Sequence, residues 1–358
     1  MARPATGEAR RGPAGRPRRQ PAARHIVDAR GRAWFGRRVR ALVTGAAGFL
    51  GTALVQALTA RGDQVRALVR GPAPALGRLD VEVVRGDALD PAALAAAVRG
   101  CDVVFHLAGV RRATDPAEFM RVNAGSTRLL LEACLAEAPS LSRFVLAGSL
   151  AASGPSRTPR REEEPLGPVE PYGASKAEAE RITLAFADRL PVTVAKPPRI
   201  VGPADRENLV FFRIAQRGLA LSFGDRPLSW IDVDDCARGL LLLADRDEAR
   251  GEAFFLASPE TTSAEGLMRE IAAAFGVRPR RVRVPAPLLR ALAAAADTLS
   301  DATGRRLPLN RKLAAQVLAP GWVCAPSKAR ERLGFEASTT LGVSVTRAAG
   351  WYREHDWL

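Results

Sequence analysis

The stretch Ala41-Leu42-Val43-Thr44-Gly45-Ala46-Ala47-Gly48-Phe49-Leu50-Gly51 decides how this chain is read. An apolar strand runs into a glycine-rich turn, and the turn runs into a helix. Leu50, Ala53, Leu54, Ala57 and Leu58 recur at helical spacing, and Gly62 follows as a stop. Each glycine has its own task. Gly45 permits a tight turn off the strand. Gly48 leaves room where backbone approaches a pyrophosphate, and Gly51 lets the helix pack closely on the strand. The helix N-terminus, at Phe49 and Leu50, presents free N–H groups and a positive dipole end to the phosphates. A second strand follows at the right distance, so a dinucleotide-binding unit is expected.

That second strand is Val65-Arg66-Ala67-Leu68-Val69, closed by Arg70, Gly71 and Pro72. An acidic residue at this strand end hydrogen-bonds the 2′-hydroxyl of NAD, whereas an arginine accommodates the 2′-phosphate of NADP. Val69 stands where the acid would be, and Arg70 follows with a guanidinium suited to bidentate phosphate contact. NADP is therefore the expected cofactor, with NAD as the alternative.

The same alternation continues. Residues 81–84 read as a third strand followed by Gly86-Asp87-Ala88. Asp90 caps, and Pro91 opens, a helix through Val98. Residues 102–107 read as a fourth strand ending in Leu107-Ala108-Gly109, small enough for the chain to run close to a cofactor. A long helix is expected over 116–137, carrying Asn123, then a fifth strand at 143–147 leading into Gly148-Ser149. A helix over 172–189 and a sixth strand at 192–195 complete the pattern. Strands alternating with helices mean an α/β fold with a parallel, doubly wound sheet covered on both faces.

Beyond Lys196 the rhythm loosens. Pro197, Pro198 and Pro203 bracket Arg199-Ile200-Val201-Gly202, which reads as a loop. Helices are expected near 206–217, 234–245, 263–275, 286–299 and 341–355, and strands near 228–231, 253–257 and 281–285. The reading gives a dinucleotide-binding domain at 38–196. A smaller α/β substrate lobe follows at 197–358, with elements returning to the core. Trp351, Tyr352 and Trp357 are expected to dock the last helix.

Chemistry is concentrated in Tyr172-Gly173-Ala174-Ser175-Lys176. Positions i and i+4 of a helix share a face. An ammonium beside a phenol favours the phenolate, which suits acid–base work near neutrality. Ser149 sits just past a strand end, where its hydroxyl can meet a substrate oxygen in the same cleft.

These segments together resemble the extended short-chain dehydrogenase/reductase family, also called the NAD-dependent epimerase/dehydratase family, over about residues 38–358. The resemblance rests on Thr44–Gly51, His106-Leu107-Ala108-Gly109, Asn123, Ser149 with Gly154, Tyr172–Lys176 and Ile200-Val201-Gly202-Pro203, with Asp234-Asp235 before an apolar helix. It implies a Rossmann core in which Tyr172 is the general acid/base, Lys176 holds the nicotinamide ribose and Ser149 orients the substrate oxygen. Asp87, Ala88, Leu107, Ala108, Gly109, Asn123, Pro197 and Ile200 join the glycine turn, Arg70 and Lys176 as the expected cofactor-binding set. Asn123 belongs to Asn-Ala-Gly-Ser-Thr, whose glycine comes one place earlier than in the family segment. Leu150 and Ala151 follow Ser149 where sugar dehydratases carry acids, so dehydration is not expected. Pro197-Pro198-Arg199 replaces the aromatic–Asn pair of many nucleotide-sugar epimerases. Val65–Arg70 is similar to the dihydroflavonol-reductase and 3β-hydroxysteroid-dehydrogenase branch, which exchanges hydride with a ketone or secondary alcohol. The alternatives are a nucleotide-sugar epimerase with tightly bound NAD and a non-catalytic NADP-binding protein.

Charge and composition narrow the partners. The chain has 358 residues and a net charge of +15. Residues 1–40 hold twelve arginines against Glu8 and Asp28, a net +10, leaving +5 for the rest. The basic residues 1–37 read as a disordered tail, and no nucleic-acid partner is expected for the remainder. No apolar run reaches the ~18 residues of a membrane span, and no signal-peptide segment stands near the start. Four scattered cysteines in no metal spacing fit buried thiols in a cytoplasmic protein without a metal site. The expected partner is a small-molecule substrate. The resemblance also implies a homodimer paired through helices.

Overall fold

The computed structural model describes residues 38–358 except 114, 305, 306 and 308. The expected tail at 1–37 lies outside the described residues. The first half runs β1 (Arg40–Thr44), α1 (Phe49–Arg61), β2 (Gln64–Val69), β3 (Val81–Arg85), α2 (Pro91–Val98), β4 (Val103–His106), α3 (Pro116–Phe119), α4 (Ser126–Glu137), β5 (Arg143–Ala147), α5 (Leu150–Ser153), β6 (Ser156–Arg160), α6 (Pro171–Leu184) and β7 (Val192–Ala195). The second half runs β8 (Arg199–Val201), α7 (Leu209–Gln216), β9 (Leu219–Ser222), β10 (Leu228–Asp232), α8 (Val233–Asp245), β11 (Ala253–Phe254), β12 (Thr261–Thr262), α9 (Ala264–Ala274), β13 (Arg280–Arg283), α10 (Ala286–Thr303), α11 (Arg311–Leu318), β14 (Trp322–Cys324), α12 (Ser327–Leu333) and α13 (Leu341–Glu354).

The main sheet has seven strands in the order β11-β7-β5-β4-β1-β2-β3, and every pairing in it is parallel. Strands covered on both faces must be apolar throughout. β4, β5 and β7 accordingly expose nothing, and Ala41, Leu42 and Val43 of β1 are fully buried. Helices α2, α4 and α6 pack Leu94, Leu130, Leu131 and Ile182 over Val104, Phe144 and Val192 in one continuous core. The chain order along the sheet reverses at β1, between β4 on one side and β2 on the other. That reversal opens the crevice where open α/β sheets bind ligands, beyond the strands' carboxyl ends.

A second sheet runs β12-β10-β14-β6, with β8 also paired to β10, and β9 and β13 form a separate parallel pair. The two halves interleave. β11 from the second half extends the main sheet on β7, and β6 from the first half pairs with β14. Residues 199–201, read as a loop from the flanking prolines, form β8, whose residues pair in parallel with Trp230, Ile231 and Asp232 of β10. The helix expected over 116–137 runs without interruption, but its hydrogen-bond register changes inside it. α3 ends at Phe119, a π-helical segment takes Met120–Gly125, and α4 starts only at Ser126. α13 docks through Tyr352, which is fully buried, donates its hydroxyl to the Asp205 carbonyl at 2.6 Å, and meets Phe212 edge-on.

Candidate functional site

Backbone packing builds the glycine turn. Gly45 has a φ of +70°, and a Cβ there would stand 2.7 Å from the Ala108 nitrogen. The turn off β1 is thus pressed against the chain leaving β4. A Cβ on Gly51 would collide with the Gly45 carbonyl oxygen and stand 2.9 Å from Ala46 Cα, so helix α1 sits directly on the turn. Gly48 is the N-cap of α1 in extended conformation, no side chain caps it, and the first turn carries no acid. Phe49 and Leu50 open the helix half-buried, with their end of the dipole free to meet an anion. The Phe49 ring also reaches the loop after β8, close to Gly202.

Arg70 follows β2, is exposed, and has no hydrogen bond or ion pair among the described residues. Arg85, which the sequence did not single out, stands in register opposite Val69 on β3 and is also exposed. Asp87 turns its carboxylate back to accept the Leu89 N–H at 2.9 Å, and half-buried Ala88 lies within that turn. No carboxylate is therefore offered from the end of β2, while two guanidinium groups stand on adjacent strand ends.

At the end of β4, His106 is 1% exposed. Its Nδ1 lies 2.7 Å from Thr44 Oγ1 and its Nε2 3.2 Å from Ser126 Oγ, and the Ala108 N–H donates to the same Thr44 oxygen. Burial, then the nearby Lys176 charge, pushes the imidazole down to about 3, so it is neutral. Leu107, Ala108 and Gly109 then run toward Asn123. The Val110 N–H donates to Asn123 Oδ1 at 2.7 Å, and Asn123 Nδ2 donates to the Val110 carbonyl and to Ser175 Oγ. Asn123 lies in the π-helical segment. A Cβ on Gly109 would be 2.8 Å from Asn123 Oδ1 and 4.0 Å from Lys176 Nζ, so the β4 end, Asn123 and Lys176 meet at one point.

Tyr172 and Lys176 lie on α6, which Glu170 caps by accepting the Tyr172 and Gly173 N–H groups. Lys176 is 7% exposed and donates to the Ala147 carbonyl, the last residue of β5, at 2.5 Å. Burial, then Arg111, lowers its ammonium to about 8. Ser149 is the N-cap of α5, its Oγ accepting the Ala151 N–H at 3.1 Å, which leaves its O–H free to donate. A Cβ on Gly173 would stand 2.5 Å from the Ala151 carbonyl oxygen, so the Ser149 turn and the Tyr172 turn are pressed together. Pro197 closes the group by accepting the Leu150 N–H at 3.0 Å. Ile200 is half-buried on β8. The Tyr172 hydroxyl makes no hydrogen bond among the described residues.

The sequence reading missed the surroundings of Tyr172. The Arg111 guanidinium lies 5.9 Å over its ring, and Phe119 meets it edge-on at 6.2 Å. A fully buried ion pair, Lys196 Nζ to Glu180 Oε1 at 2.8 Å, joins the end of β7 to α6 two turns beyond Tyr172. The Tyr172–Lys176–Glu180 spacing on one helix face was a signal for it, but its partner lay sixteen residues on.

Residues 41–257 match the pattern of the NAD dependent epimerase/dehydratase family. The chain is 33% identical over 328 residues to a ceramide reductase of Caulobacter vibrioides, covering 88% of this chain and 95% of that protein. It is 30% identical to a 2-alkyl-3-oxoalkanoate reductase of Stenotrophomonas maltophilia, covering 86% and 98% respectively. Among solved structures, MoeE5 in complex with UDP-glucose and NAD superposes with a TM-score of 0.70 at 26% identity, covering 88% of this chain and 99% of that one.

Proposed function

The chain belongs to the NAD dependent epimerase/dehydratase family, and from that premise we propose that it reduces a ketone, or oxidises a secondary alcohol, on an apolar substrate with NADP as cofactor. The observation that carries this reading is the close approach of α5 to α6 at Gly173. It sets Ser149, Tyr172 and Lys176 at the strand ends that also carry the glycine turn. The residues present fit a dinucleotide. The glycine turn and the uncapped N-terminus of α1 suit the pyrophosphate, and Arg70, with Arg85 beside it, suits a 2′-phosphate. Bound nicotinamide would supply or accept the hydride. The Ser149 O–H donates to the substrate oxygen, and Tyr172 gives that oxygen a proton or takes one from it. Lys176, held by the Ala147 carbonyl, keeps a desolvated positive charge beside the cofactor ribose and the phenol. Two relatives named as reductases support reduction as the working direction. Four buried free cysteines suit a reducing cytoplasm.

The test is titration of the purified protein with NADPH and NADH, followed by a ketone panel on the preferred cofactor. Tighter NADPH binding with ketone-dependent oxidation supports the proposal. The second reading, a nucleotide-sugar epimerase, draws on the likeness to MoeE5 with UDP-glucose and NAD. NAD that copurifies with the protein, together with sugar epimerisation without net cofactor consumption, would replace the first reading by the second.

A further inference from the structure

Among the described residues α10 is the longest helix, and none of them covers one of its faces. Its inner side packs Leu289 and Ala293 on Ala314, Val317 and Leu318 of α11. Leu288, Leu292 and Leu299 point the other way and are 50, 48 and 52% exposed. With exposed Ala295 they fall at i, i+4, i+7 and i+11, a single stripe along one helix face.

Charge is concentrated around the same element. Residues 278–312 contain nine basic and two acidic side chains, a net +7. Everything from residue 41 onward carries only +5, so the rest of that region is slightly negative. Arg278, Arg280 and Arg283 precede α10, are exposed, and have no ion-pair partner among the described residues. Arg311 and Lys312 follow it at the start of α11, both exposed, with Arg311 Nε 3.9 Å from Asp297 Oδ2. An apolar stripe bracketed at both ends by arginines matches the boundary between anionic headgroups and acyl chains. A second copy of this chain would bring two like-charged patches together. Among the described residues no helix is long and apolar enough to cross a membrane, so such a contact would be superficial.

The helix that α10 packs against, α11, reaches the surroundings of Tyr172. Lys312, at the start of α11, lies 4.8 Å over the Phe119 ring, and Phe119 meets Tyr172 edge-on.

We propose that the α10 face, Leu288, Leu292, Ala295 and Leu299 with the basic residues at either end, docks the protein onto an anionic lipid surface. Delivery of an apolar substrate from that surface rests on the reductase reading, whereas the docking does not.

The test uses the full chain with vesicles of phosphatidylcholine containing 30% phosphatidylglycerol, and with phosphatidylcholine alone. The basic N-terminal segment has its own attraction for anionic vesicles, so two readouts separate it. The Leu288→Ser, Leu292→Ser, Leu299→Ser triple variant keeps every charge. Its binding to anionic vesicles, measured by co-sedimentation, falls about tenfold or more, because the apolar insertion is lost. In a second experiment Leu292→Cys carries a polarity-sensitive dye, which reacts selectively because the four natural cysteines are buried. Its emission shifts to the blue on anionic vesicles, while the same dye at Val83→Cys, exposed on β3 of the main sheet, does not shift. Undiminished binding of the triple variant, or an unshifted dye at 292, overturns the proposal. A blue shift that grows with protein concentration in the absence of vesicles, with a dimer in sedimentation, also overturns it and assigns the face to a second copy. Ketone turnover is not read in either experiment, so failure of the docking and failure of the reductase reading remain distinct.

Discussion

Protonating His106 would dismantle the floor of the glycine turn, and the cost can be worked from its surroundings. The ring is buried between Thr44 and Ser126, and burial with the Lys176 charge holds it at about 3 against an ordinary 6.5. A base whose native value is depressed leaves the unfolded chain binding more protons between those two values. Stability from this group is therefore fully present above pH 6.5 and is lost as pH falls toward 3. At pH 5 the unfolded imidazole is protonated and the native one is not, a loss of about 2 kcal/mol relative to pH 7.5. Urea unfolding of the wild type and of His106→Gln at both pH values isolates the term, since other groups titrate alike in the two proteins. The stability difference between them shrinks by about 2 kcal/mol at pH 5. A difference that stays constant would refute the neutral, buried imidazole and with it the reasoning about the turn.

Other outcomes follow from neighbouring residues. Gly51→Ala sets a methyl against the Gly45 carbonyl and Ala46 Cα, rigid backbone atoms; the strain costs about 1–3 kcal/mol, read as a lower Tm, and weakens NADPH binding. Lys176 is held at about 8 rather than 10.5, so its unfolded form binds more protons between those values and its contribution to stability rises with pH across that window. Without cofactor, the wild type therefore gains roughly 2–3 kcal/mol on Lys176→Met between pH 7 and pH 10, measured by urea unfolding. On the proposed NADP reading, Arg70→Ala weakens NADPH about 10- to 100-fold, as loss of one charge-assisted phosphate contact would, and leaves NADH unchanged. Equal losses for both cofactors would take Arg70 out of the 2′-phosphate site.

The first half was legible because its signals are local. The strand–glycine–helix order of β1 and α1, the apolar runs of β2, β4 and β5, and the Tyr172–Lys176 spacing each lie within one segment. The second half depends on distant partners. β8, β12 and β14 are two or three residues long and exist because β10 sits between them, which no local period announces. The π-helical segment around Asn123 keeps a helical apolar pattern, so periodicity alone joined α3 to α4. Lys196–Glu180 needed the sheet and α6 in three dimensions. Net charge misled in a similar way: a balance of +5 beyond residue 40 hid a +7 segment around α10.

In the proposed reaction Tyr172 moves the proton, in a site whose cofactor is held by other residues. This role is tested most directly by Tyr172→Phe, with NADPH affinity and ketone turnover measured on the same preparation. The expected result is an NADPH Kd within about twofold of wild type and a kcat/KM lower by about 10²–10⁴-fold. Unchanged turnover, or a fall in turnover fully matched by lost NADPH binding, would contradict it.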